Sequence, residues 1–414
     1  MTDAAQPQAS LKADSRVIAV VGLAHFASHF YQLSFPPLFF FMRQDFGVTY
    51  AELGVVMACF YVASGLTQAL AGVLVDRAGG SRVLIAGTAL LTVSIAAAGL
   101  APNYLSLIVF AVFAGLGNSI YHPADLSILS LQVSERRLGR AYAVHSFTGM
   151  IGYASAPLIL TVLAEWLSWR GALLAAGTVG VIAVIVLVLN RDCLDTSHRM
   201  SPRRSASTLS HQSAIAGYLR LIAAPAILLA FVFFTLNSSI QIGFQTFADT
   251  ALKQLFSITP DIAAAGLTTL LMGIAGGVLI GGLIADRTER HDLVSVTGMV
   301  LSTVLLLVLT LSGVGVALMF LLLVGIGATF GVTLPSRDQI VRKAATPSTA
   351  GKVFGFVYSG LDLGATIAPL GLAWMLDAET PVTYFVTIAV LMVLVIPTVL
   401  QTKRSVGRAM SATP

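Results

Sequence analysis

The sequence predicts an all-α membrane protein, with twelve transmembrane helices in two pseudo-symmetric six-helix bundles. Three observations carry that expectation. Hydrophobic residues make up 56% of the chain and charged residues 10%, against about 25% charged in soluble globular proteins. The apolar residues fall in runs of about 20, the helix length that crosses ~30 Å of hydrocarbon. The chain also repeats itself. Gly72-Val-Leu-Val-Asp76-Arg77 recurs as Gly282-Leu-Ile-Ala-Asp286-Arg287, an offset of 286 − 76 = 210 residues. His122-Pro123 aligns with Leu334-Pro335, and Gly139-Arg140 with Gly351-Lys352, both at 212. An apolar chain of two parallel halves is the sequence form of a rocking transporter.

The elements follow from apolar runs and their breakers. Residues 1–16 are polar and read as a disordered cytoplasmic tail. The first bundle spans 17–190, with helices near 17–40, 50–75, 83–101, 104–133, 139–165 and 170–190. A serine- and arginine-rich linker fills 191–218. The second bundle spans 219–401, with helices near 219–246, 260–284, 292–313, 315–341, 350–377 and 381–401, and residues 402–414 form a second tail. The 37 glycines suit close helix packing where no hydrophobic force separates protein from lipid. Gly72 in particular is read as a site of close helix approach.

Charge placement sets orientation. With the N-terminus inside, Arg43, Arg170 and Lys253 fall outside and Arg337 lies within a helix. The other 24 − 4 = 20 lysines and arginines fall in cytoplasmic loops and tails. That asymmetry predicts a multi-pass inner (plasma) membrane protein with both termini cytoplasmic. The net charge of +5 is therefore a topology signal and not a nucleic-acid footprint. Two cysteines cannot form a disulfide framework. No nucleotide-binding loop, catalytic triad spacing or soluble domain points to an enzyme or receptor. No cofactor or resident metal is expected, and the partners are a small-molecule substrate, protons and the lipid bilayer, acting on a monomer.

Ionisable and polar groups inside the membrane mark the functional candidates, because burying them there is costly. His25 and His29 share one face of helix 1, with Tyr31 and Gln32 nearby. Asn118, His122 and Asp125 stand at i, i+4, i+7 on helix 4, where Pro123 frees a carbonyl. Asn237, Gln241 and Gln245 form a neutral stripe on helix 7, and Tyr358 adds a polar edge from helix 11. These ten positions other than Asp125 are the substrate-binding candidates. Asp125 and the midplane Asp362, about 15 Å along its helix from Lys352, are the proton-coupling candidates. Asp125 and Arg337 are repeat-related with opposite charge, so they are candidates for a gate that pairs across the halves, with Asp338 beside it. The alternative satisfies each charge within its own half. A second alternative has His25 and His29 carry a transition metal or metal chelate, with His122 or His145 completing the ligands.

With its 6+6 repeat and Gly-x-x-x-Asp-Arg loops, the chain resembles the major facilitator superfamily. Gly115-Leu-Gly117 followed by His122-Pro123 resembles the fosmidomycin-resistance-like efflux branch. The resemblance implies the major facilitator fold and alternating access. It also implies that Asp76 and Arg77, with Asp286 and Arg287 in the second copy, latch a conformational state. Gly149, Gly152, Ala156 and Pro157 only partly echo the glycine-proline motif of drug antiporters. The expected function is proton-coupled secondary transport of a small organic molecule, with efflux favoured and uptake of a small organic anion as the alternative.

Overall fold

The computed structural model describes residues 11–196, 223–344 and 350–411. Among them every regular element is a helix. In chain order these are α1 (Leu11–Gln32), α2 (Phe39–Phe46), α3 (Tyr50–Ala78), α4 (Gly80–Ala98), α5 (Tyr104–Asn118), α6 (Tyr121–Gln132), α7 (Glu135–Leu189) and α8 (Arg191–Leu194). They continue as α9 (Pro225–Phe256), α10 (Pro260–Ala285), α11 (His291–Leu309), α12 (Val316–Ala344), α13 (Ala350–Asp377) and α14 (Pro381–Ser411). Eleven stretches among the described residues are long and apolar enough to cross a membrane. One of them, α7, is two helices joined at Ser168, whose φ of 68° is outside helical space. That break accounts for the twelfth expected span.

The boundaries depart from the sequence expectation where local chemistry decides. The first helix begins at Leu11, so residues 11–16 of the expected tail are ordered. Asp14 explains this: its carboxylate, 0% exposed, accepts from Ser134 Oγ at 2.6 Å and Arg137 Nε at 2.6 Å. Pro36 and Pro37 tighten the end of the first span into a short 3-10 turn, Pro36–Leu38. The expected helix 104–133 is split at Ser119 and Ile120. Pro123 has no N–H to offer the Ser119 carbonyl and its ring crowds that turn. Upstream, Asn103 and Ser106 form a reciprocal cap that starts α5. Helix 7 was expected at 219–246 but runs from Pro225 to Phe256, which brings Asp249 and Lys253 into it.

The chain forms two compact units, 1–48 with 59–203, and 49–58 with 204–414. In the first, α1 packs along α7 and α6, and α4 packs on α5 and α7. In the second, α10 lies along α12, while α9 lies against α13 and α14. The opening turns of α3 belong to this second unit. Both oxygens of Asp377, the last residue of α13, accept from the first-turn N–H groups of Tyr50 and Ala51, at 2.7 and 2.8 Å. A carboxylate at a helix N-terminus satisfies orphan donors and complements the helix dipole. Asp377→Ala is expected to lower stability by about 0.5–2 kcal/mol, the range for losing a helix cap. Thermal unfolding of purified protein reads it, and an unchanged midpoint would remove the capping role.

One glycine expectation is corrected. A Cβ added at Gly72, or at its repeat partner Gly282, meets nothing within 4 Å. Close approach occurs elsewhere. At Gly54 a Cβ would sit 2.7 Å from the Pro369 carbonyl oxygen. In the loop itself it is Gly79 that is constrained, with a φ of 86° immediately before α4. The α4 N-terminus is then closed by Thr196, whose hydroxyl accepts from Gly80 N at 2.9 Å.

Candidate functional site

Three helices of the first unit converge on one buried carboxylate. Asp125 on α6 is 0% exposed. Its Oδ2 lies 3.1 Å from His25 Nδ1 on α1 and 3.1 Å from His145 Nε2 on α7. The His25 and His145 rings stack with centroids 3.5 Å apart. His29 stands one turn along α1, its centroid 4.3 Å from that of His25, and packs on Tyr153 at 4.1 Å. His122 lies 5.7 Å from His25 and is exposed, so the cluster reaches the surface of the unit through it. Among the described residues Asp125 Oδ1 has no hydrogen-bond partner, and His29 Nδ1 faces Gly149 without a well-formed bond.

The sequence builds this centre with glycines. A Cβ at Gly149 would lie 2.8 Å from both His25 and His29 ring atoms, and one at Gly152 would strike the Phe26 carbonyl. Only glycine there lets α7 approach the histidine face of α1. A second polar row runs beside the first. Tyr153 donates to Gln32 Oε1 at 2.7 Å, Gln32 Nε2 donates to Ser28 Oγ at 3.4 Å, and Ser28 donates to Asn118 Oδ1 at 3.0 Å. Asn118 Nδ2 closes the row on Ser64 at 2.9 Å. Tyr31 is not part of either row. Its hydroxyl donates to the Ala176 carbonyl and accepts from Gly180 N, both at 2.8 Å, so it ties α1 to the second arm of α7.

Of the sequence candidates in this half, His25, His29, His122 and Asp125 come together, with Gln32 and Asn118 adjoining. His145 joins them as a direct partner of Asp125. Spacing along one helix could not reveal that, because the contact is made between helices 100 and 20 residues apart in sequence. Asp125 is thus engaged inside its own unit, through two histidines.

In the second unit, Asn237 and Gln245 on α9 are 1% exposed. Asn237 Nδ2 donates to the Phe233 carbonyl at 2.9 Å. Asn237 Oδ1 and Gln245 Oε1 have no hydrogen-bond partner among the described residues. Gln241 is half-buried between them. The same i, i+4 row continues to Asp249, a residue missed from sequence because helix 7 was ended at 246. Asp249 is 6% exposed and accepts from Thr250, at 2.6 Å from its N–H and 3.4 Å from its hydroxyl. No basic side chain pairs with it among the described residues. Asp362 on α13 is half-buried and likewise pairs with no basic group among the described residues. The guanidinium of Arg337 lies 4.7 Å above the Phe234 ring, a cation–π contact. The side chains of Asp338 and Tyr358 lie outside the described residues. Asp76, Arg77, Asp286 and Arg287 are exposed at the ends of α3 and α10.

The chain matches the Major Facilitator Superfamily model over residues 21–251 and 227–408. It is 23% identical over 358 residues to the fosmidomycin resistance protein of Escherichia coli (strain K12), a match covering 86% of each chain. It is 24% identical over 365 residues to an uncharacterized MFS-type transporter, YfnC, of Bacillus subtilis (strain 168), covering 86% of this chain and 87% of that one. Its fold is similar to a bacterial homologue of the human lysosomal transporter Spinster, with a TM-score of 0.79 at 14% identity, over 96% of this chain and 98% of the other.

Proposed function

The chain belongs to the Major Facilitator Superfamily and is a multi-pass membrane transporter of small molecules, not an enzyme; from that premise we propose that it exports a small organic molecule by alternating access, in exchange for protons. The observation that carries proton coupling is the pair of intramembrane carboxylates in the second unit. Asp249 is buried on α9, where Thr250 donates to its carboxylate, and Asp362 is half-buried on α13. Neither has a basic partner among the described residues. A carboxylate held in a membrane bundle without a cation is favoured in its protonated form, and it must be neutralised or hydrated before it can release that proton. That is the behaviour a coupling site needs. Tyr384 of α14, whose hydroxyl donates to the Gly243 carbonyl at 2.8 Å, and Lys253, one turn along α9, are the other ionisable groups near Asp249. The groups of α9 that meet α13 beside Asp362 are neutral: Ser238 donates to the Leu361 carbonyl at 2.6 Å and Ser239 to the Gly364 carbonyl at 3.5 Å.

Efflux is supported by the relative that shares 86% of its length with this chain and is named for resistance to fosmidomycin. An inner-membrane location with both termini cytoplasmic is supported by the 20 positive residues placed in inside loops and tails. The exposed Asp-Arg pairs at the ends of α3 and α10 are our candidates for the conformational latch.

The test is flux in liposomes. With one proton exchanged, each pH unit across the membrane supplies ~1.4 kcal/mol and so about a tenfold accumulation ratio. Asp249→Asn and Asp362→Asn are expected to abolish gradient-driven accumulation while sparing exchange at equal pH. Accumulation that ignores the pH gradient in the unaltered protein would end the proton reading. Import of organic acids down that gradient would favour the uptake alternative.

A further inference from the structure

The His/Asp centre of the first unit is not used by that reading, and its donor set points to a ligand of its own. We infer that His25, Asp125 and His145, completed by His29 or His122, form a binding site for a first-row divalent transition metal such as zinc or cobalt. Imidazole nitrogens with a carboxylate oxygen are the ligand type that these borderline ions select.

The distances fit. His25 Nδ1 and His145 Nε2 each stand 3.1 Å from the same Asp125 oxygen, and the three ligand atoms all lie within 4.8 Å of one another. Around a tetrahedral ion with bonds of about 2.0–2.1 Å, neighbouring ligand atoms are ~3.4 Å apart. Placing an ion among these three therefore asks each N···O distance to open by only ~0.3 Å from its present value.

Two further atoms lack partners. Among the described residues, Asp125 Oδ1 and His29 Nδ1 are buried without a hydrogen-bond partner, a costly condition when nothing fills it. A proton shared between Asp125 Oδ2 and an imidazole satisfies neither. A metal ion accounts for the first, since Oδ1 can give a bidentate carboxylate, and His29, one turn along α1 from His25, is positioned to offer a further ligand after a side-chain rotation. The site is also reachable, because His122 is exposed while its ring lies 5.7 Å from that of His25. This set adds the Asp125 carboxylate to the histidines the sequence puts forward, His25 and His29 with His122 or His145. The carboxylate and the third helix supply what two histidines one turn apart could not.

The site stands independently of proton coupling, whose carboxylates lie in the other unit. The experiment is titration of chelator-stripped, detergent-purified protein with Co²⁺, read by its tetrahedral d–d absorption, followed by displacement with Zn²⁺. His198 and His211 lie outside the described residues, so a His198→Ala, His211→Ala background removes their contribution. We expect one ion per chain. His25→Ala, His145→Ala and Asp125→Asn should each weaken binding by more than about 100-fold, beyond the 10–100-fold typical of an outer partner, while His291→Ala should not change it. The absence of a stoichiometric site in folded protein, or binding indifferent to His25→Ala and His145→Ala, would overturn the inference. If those variants fail to fold, Cu²⁺ electron paramagnetic resonance on the unaltered side chains decides. Hyperfine coupling to at least two nitrogens supports the site, and coupling to one or none refutes it.

Discussion

Gly277→Leu should leave no folded protein to purify. Gly273, Gly277 and Gly281 repeat every four residues along α10 and so form one row of its surface. That row meets Gly327, Ala328, Gly331 and Val332 of α12, backbone to backbone. A Cβ at Gly273 would lie 2.8 Å from the Val324 carbonyl oxygen, and one at Gly277 would strike the Ala328 carbonyl. A backbone carbonyl cannot swing aside as a side-chain tip can. A whole isobutyl group at Gly277 must therefore part the two helices, at or above the upper end of the ~1–3 kcal/mol typical of overpacking. Lipid makes the loss harder to absorb, because helix association in a bilayer rests on close packing and not on hydrophobic burial. The measurement is the yield of monodisperse protein in size-exclusion chromatography. Gly276→Leu is the control, since nothing lies within 4 Å of a Cβ there, and it should express normally. A Gly277→Leu protein eluting in normal yield would show that the row does not hold α10 to α12.

The contrast between Gly277 and its neighbour marks what was legible in the sequence. Membrane spans and the duplicated halves could be read because hydropathy and repetition are properties of the chain itself. The high glycine count signalled close packing, but not which glycines do it. Gly72 and Gly282, the pair repeated in the two Asp-Arg loops, face open space, while Gly54, Gly149 and Gly277 meet backbone or side chains. Helix ends were misplaced where a single residue overrides hydropathy: Pro123 splits α5 from α6, and α9 runs ten residues beyond its expected end. That last error hid Asp249, whose place on the Asn237, Gln241, Gln245 row follows from i, i+4 spacing once the helix is known to continue. The His/Asp centre was half legible. Spacing put His25 with His29 and His122 with Asp125, each on its own helix. Bringing them to one point with His145 depends on glycines at 149 and 152, and on how three helices pack, which periodicity does not encode.

Swapping the charges of Asp125 and Arg337 is expected to abolish transport in each single variant and to restore none in the double. Sequence symmetry sets these residues at equivalent positions with opposite charge, which suggests a pair that breaks and reforms during transport. The surroundings of Asp125 argue for a different role. Its carboxylate is 0% exposed, and one oxygen is already held by two imidazoles at 3.1 Å. Arg337, in the second unit, rests over Phe234. Asp125→Arg would place a guanidinium among four histidines, with the only acid of that cluster removed. Leaving a buried charge without its partner typically costs about 3–5 kcal/mol, and Arg337→Asp supplies no acid within the first unit to offset it. The single Asp125→Arg variant should therefore lose thermal stability as well as flux, while Arg337→Asp should lose flux with a smaller stability change. Flux in liposomes and thermal unfolding of the same four proteins separate the two accounts. Recovery of transport in the double variant would establish the cross-half pair and reduce the histidines to its support. Failure of the double, with stability lost through Asp125 alone, would place the chemistry of this residue inside its own bundle, where duplication kept the scaffold and divergence gathered histidines around a carboxylate.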